Sequence, residues 1–174
     1  MKLIISAVLF VVCFYFFISV YTSYSDYRKK INSELESNKI IKRFYVKSSV
    51  FIVSATAFVA LTLISLYRSW YVIEKTFSSK ELSDVQLNGF LSVICTFLFA
   101  VSFVVFSYCK IMKTKAKHNN DAKLFNKLKT ADGFLIAALV VFGVGVALFF
   151  FLFYMTYYVA KMGELFSGGF PTEF

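Results

Sequence analysis

The side chains able to do covalent, metal or acid–base chemistry are few in this chain, and their spacing assembles none of the common sites. Of 174 residues, three are cysteine and one is histidine. Cys13, Cys95 and Cys109 form no C-x-x-C pair, and Cys95 and Cys109 are 14 positions apart, roughly 21 Å along one helix. A membrane disulfide oxidoreductase of this size would share the hydropathy of the chain, but the redox cysteines that it needs are missing. Cys109, beside Lys110, stands where acylation could occur, and a packed core thiol is the simpler reading. His118 lies in a polar stretch with Asp121 as its one nearby carboxylate, too few donors for a metal, and it is read as solvated. No G-x-S-x-G, H-E-x-x-H or glycine-rich phosphate loop is present. No catalytic, cofactor or metal site is expected, and the chain is not expected to be an enzyme.

Those scarce groups are carried by elements of one kind. The composition is 59% hydrophobic with 23 Phe, and four apolar runs reach or exceed the ~20 residues that span a bilayer, at about 3–24, 50–71, 89–109 and 133–160. Together they predict an all-α integral membrane bundle of four transmembrane helices, up-and-down, with short loops and a single domain over 1–174. The first run is read as an uncleaved helix, because it exceeds a ~7–15-residue signal core and its basic residues follow it. No Asp or Glu lies within any run, and Asp132 sits at the edge of the last. Proton-coupled carriers commonly need an intramembrane carboxylate or histidine, so that class is disfavoured.

The last run is the one around which the bundle is expected to form. Gly133/Ala137 and Gly143/Ala147 have the small-xxx-small spacing that helix packing in lipid favours, and they do not share one face. A helix open to approach from several sides is expected at the centre. Further along, Phe150, Tyr154, Tyr157 and Tyr158 descend at helical spacing to Lys161, an interfacial belt that could also meet a partner. On the second run Ser54, Ala57, Leu61, Ser65 and Arg68 share a face, and Arg68 reads as a cation snorkelling to the headgroups. On the third, Gly89, Ser92, Thr96, Ala100 and Ser107 make another small-residue stripe, with Phe103 between the last two. These stripes are expected to form the core, with Phe facing lipid.

Between the runs, residues 25–49 carry seven basic and three acidic side chains, and residues 110–130 carry seven and one; residues 72–88 carry two and three. The positive-inside rule then places the first and third connections in the cytoplasm, and the second connection with both termini outside. The first helix is expected to continue past the membrane through Tyr27, Ile31 and Leu35, within a basic stretch held near an anionic inner leaflet rather than on a nucleic acid. Ser78-x-x-Glu81 and Ser83-x-x-Gln86 both fit a capping box for the third helix. Residues 110–132 are read as a loop with an amphipathic turn through Leu124, Phe125 and Leu128, and Thr130 or Asp132 as the N-cap of the last helix. The tail from 162, with Gly168-Gly169 and Pro171, is expected to be loosely ordered.

Four spans with basic first and third connections resemble the layout of the membrane-bound glutathione-transferase family. The Arg/Asn/Glu constellation that the resemblance would imply on the second helix has no counterpart in 50–71, where Arg68 stands alone. The expected function is a non-enzymatic small protein of a bacterial inner membrane acting by helix–helix interaction with another membrane protein. It would be a subunit of a larger assembly or a binder of the immunity or exclusion type. The alternative is a homo-oligomeric pore or small-solute transporter, lined by Ser54, Ser65, Arg68, Ser92, Thr96 and Ser107.

Overall fold

The computed structural model describes the backbone of residues 2–70 and 79–167 and, within these, the side chains of 4–68 and 83–163. Four helices make up almost all of it: α1 Lys2–Lys30, α2 Glu34–Trp70, α3 Ser79–His118 and α4 Ala122–Ser167. Each is long and apolar enough to cross a membrane, and no strand occurs among the described residues. The chain is an integral membrane helix bundle. The side chains of Trp70, Tyr71 and Glu81, most of the second connection, and Gly168, Gly169 and Pro171 lie outside the described residues.

The two basic connections are far shorter than the charge pattern suggests. The expected loops 25–49 and 110–132 are almost wholly helix, leaving turns of about three residues each. Charged residues favour a loop reading in sequence, yet a helix that clears the lipid can hold charge on every exposed face. α1 ends on Arg28, Lys29 and Lys30 and α2 opens with Glu34 and Glu36, so both termini oppose their helix dipoles with the favourable sign. Lys30 and Glu36 close the turn with an ion pair at 3.3 Å.

α3 ends in a Schellman motif. Asn120 takes a left-handed φ of 55°, the Asp121 N–H donates to the Ala116 carbonyl at 2.9 Å, and the Asn120 N–H donates to Lys117 at 3.4 Å. Asp121 then caps α4, its Oδ1 accepting from the Leu124 N–H at 3.0 Å. The cap is thus Asp121 rather than Thr130 or Asp132. Both of those lie inside α4, where the Thr130 hydroxyl donates back to the Asn126 carbonyl.

The centre of the bundle is α3, not α4. Among the described residues α3 packs against all three other helices, whereas α4 packs chiefly on α3, touches α2 lightly and does not pair with α1. The small residues of α4 are spread around its circumference, and only part of that circumference is used. From Gly133 to Leu152 no α4 side chain is fully buried. The core is also more aromatic than expected. Phe17, Phe51 and Phe103 from α1, α2 and α3 meet with ring centroids 4.5–5.7 Å apart, and Phe44 and Phe153 are buried as well. Phe17, Phe51 and Phe103 pack on one another, whereas Phe153 fills the socket that Gly89 leaves on the facing helix.

Candidate interaction faces and ion cluster

The α3–α4 seam runs antiparallel along its whole length. At one end Phe153 of α4 lies over Gly89 of α3, where an added Cβ would meet the ring at 3.3 Å. In the middle Phe99 of α3 lies over Gly143, and the Cys95 thiol lies over Gly145, where a Cβ would meet Sγ at 2.9 Å. Gly145 therefore marks the tightest approach among the described glycines, yet it belongs to neither small-xxx-small pair. Neither 3.6-fold spacing nor hydropathy signals it, because the neighbour that requires a glycine there is a cysteine on another helix.

The other small residues of α4 divide sharply. Gly143 is half-buried in the seam, while Gly133, Ala137 and Ala147 face outward, and a Cβ on Gly133 would meet nothing within 4 Å. The aromatic belt divides in the same way. Phe150 and Tyr157 pack against the buried cluster of Val59, Leu63, Val85, Phe153 and Ala160, while Tyr154 and Tyr158 are exposed. One side of α4 thus holds the protein together, and its other side presents a Gly133–Ala137 step bordered by exposed Phe134, Ile136, Val140 and Val141.

The hydroxyls of Ser54, Ser92, Thr96 and Ser107 on the α2 and α3 stripes donate within their own helices. Ser54 is buried and donates to the Phe51 carbonyl at 3.1 Å. Ser92 donates to Gly89 at 2.8 Å, Thr96 to Ser92 at 2.7 Å and Ser107 to Phe103 at 2.9 Å. Such bonds to the preceding turn satisfy the donor without any neighbouring helix. Ala57 and Ser65 are half-buried, and Ala100 is fully buried in the core. Arg68 is exposed and borders, with Ser65 and Ile5, a crevice of about 320 Å³ between α1 and α2.

The structure adds an ion cluster that the sequence placed only at the edge of a run. Asp132, directly before the apolar part of α4, is 7% exposed. Its Oδ2 accepts from Lys113 Nζ at 2.7 Å and Lys110 Nζ at 3.3 Å, both on α3. Each lysine also lies over a ring, Lys110 at 4.9 Å from Phe106 and Lys113 at 5.5 Å from Phe125. Asp132 Oδ1 is buried with no hydrogen-bond partner among the described residues. A carboxylate between two ammonium groups thus links α3 to α4 where the seam leaves the apolar zone.

The three cysteines are free and half-buried, and among the described residues no three His, Cys, Asp or Glu side chains converge as metal ligands. His118 is exposed at the end of α3. Compared with known protein families, curated proteins and solved structures, the chain has no match in any of the three.

Proposed function

We propose that this chain is a non-enzymatic protein of a bacterial inner membrane that receives a transmembrane helix of another membrane protein on the outer face of α4. It would act as a subunit of a larger assembly or as an immunity- or exclusion-type binder. The observation that supports this reading is the exposed Gly133–Ala137 step, which has small-xxx-small spacing but, among the described residues, no helix of its own bundle against it. Tyr154 and Tyr158, exposed toward the far end of the same helix, would add contact area well away from the step. The charge distribution supports an orientation with the two short turns in the cytoplasm, beside an anionic leaflet, and both termini outside.

A homo-oligomeric pore or small-solute transporter is the second reading. It has less support, because the hydroxyls of Ser54, Ser92, Thr96 and Ser107 donate within their own helices.

Native mass spectrometry of protein extracted gently from its own membrane separates the two. A defined complex with a different protein, lost in Gly133→Leu/Ala137→Leu while the bundle still folds, is the expected result. A complex that survives the double substitution refutes docking on this face. A symmetric homo-oligomer shifts the assignment to the pore, to be tested by conductance with Arg68→Leu.

A further inference from the structure

At the basic end, α1 and α3 enclose a polar pocket of about 300 Å³. From α3 come Lys110, Lys113, Thr114 and Lys117, at the i, i+3, i+4, i+7 spacing of one helix face. From α1 come Tyr24 and Arg28, and Phe125 of α4 borders the opening. Three lysines on one face repel one another, and Arg28 adds a fourth charge from across the pocket. Asp132 offsets part of this through Lys110 and Lys113. Arg28 and Lys117 have no ion pair among the described residues. The Tyr24 hydroxyl likewise has no partner there, while Thr114 donates to the Lys110 carbonyl and offers only its lone pairs.

We propose that this pocket binds a phosphate-bearing anion, specifically the phosphodiester headgroup of an anionic phospholipid. The excess of cations calls for a multivalent acceptor, and a phosphate can take bonds from the Arg28 fork, from Lys117 and from the Tyr24 hydroxyl together. Lys110 and Lys113 supply charge at fixed positions, because Asp132 and the two rings hold them. Depth favours lipid as the source: Tyr24 ends the first apolar run and Lys110 directly follows the third, so the pocket opens at the level of the lipid phosphates. The volume is at the lower end of ligand pockets, and suits a headgroup better than a nucleotide. The site rests on the basic end alone and is independent of any protein docking on α4.

The full-length protein in detergent, titrated with phosphatidylglycerol and with phosphatidylcholine under native mass spectrometry, tests this. Wild type is expected to retain one phosphatidylglycerol at least tenfold more tightly than phosphatidylcholine. Arg28→Gln/Lys117→Gln is expected to lose that preference, and Lys42→Gln/Arg43→Gln, an exposed basic pair at the same end but outside the pocket, to keep it. Equal loss in both doubles means diffuse attraction to a charged leaflet and overturns the site, as does a wild type without lipid preference that also ignores inorganic phosphate. Inorganic phosphate that binds in its place, and is lost in Arg28→Gln/Lys117→Gln, upholds the phosphate chemistry with a soluble source. Should that double variant unfold, Tyr24→Phe removes only a hydroxyl and is expected to weaken phosphatidylglycerol about threefold; no change there overturns the assignment.

Discussion

The two helical hairpins are built from similar residues and packed on opposite principles. Along α1–α2 rings meet rings, with Phe10 against Phe58 at 5.6 Å and Phe17 against Phe51 at 5.7 Å between centroids. Along α3–α4 a bulky group meets a glycine at Gly89, Gly143 and Gly145. A ring-on-ring seam can lose some shape and repack, because both partners have rotamers to adjust. A seam of sockets has less room where it is tightest, since a Cβ on Gly145 would meet Cys95 Sγ at 2.9 Å. The lesson concerns glycine in lipid: here it admits a side chain rather than bringing two backbones together.

The largest expected effect is that of Gly145→Leu, which must displace Cys95 and should cost about 3 kcal/mol by reversible unfolding in mixed micelles. A cost no greater than that of Ala137→Leu on the open face would break the distinction between socket and surface. Next is Asp132→Asn, which leaves Lys110 and Lys113 without their counter-charge. A loss of roughly 1.5–2 kcal/mol is expected, with the α3–α4 register loosened at that end and read as faster amide exchange there. An unchanged exchange pattern would mean that the sockets alone set the register. The smallest is Phe17→Leu in the ring-on-ring seam, expected at about 1 kcal/mol because repacking absorbs the change in shape. A penalty matching that of Gly145→Leu would show that the first hairpin is as exacting as the second.

The four helices were legible because hydropathy is a local property, and each apolar run carries its own signal. What escaped depended on neighbours. Gly145 is informative only beside Cys95, and Asp132 only beside Lys110 and Lys113. The extension of α1 was expected through Tyr27, Ile31 and Leu35, but α1 stops at Lys30, Ile31 lies in the turn and Leu35 belongs to α2. The other extensions were masked by their charge, although Asn119-Asn120-Asp121 after a lysine-rich helix is a readable stop and restart. Ser33 with Glu36 had the same form as the boxes assigned near the third helix, and α2 does begin there, with the Ser37 N–H donating to the Ser33 carbonyl at 2.9 Å. The surfaces proposed for docking were the hardest to read, since Gly133, Ala137, Gly143 and Ala147 look alike in sequence and only packing divides them into inner and outer residues.

The helical ends at the two short turns have an electrical consequence. Residues 25–49 and 110–132 hold fourteen of the nineteen Lys and Arg and five of the ten acidic side chains, so the whole formal charge of +9 belongs to that end and the rest of the chain balances to zero. Across an energised membrane, negative inside, the proposed orientation transfers no net side-chain charge during insertion. The inverted orientation would carry nine positive charges outward against the field, work of roughly 20 kcal/mol for each 100 mV. In that proposed orientation the membrane potential would act as a sorting force, strongest while the hairpins are entering and without a net pull on the far end once they are in place.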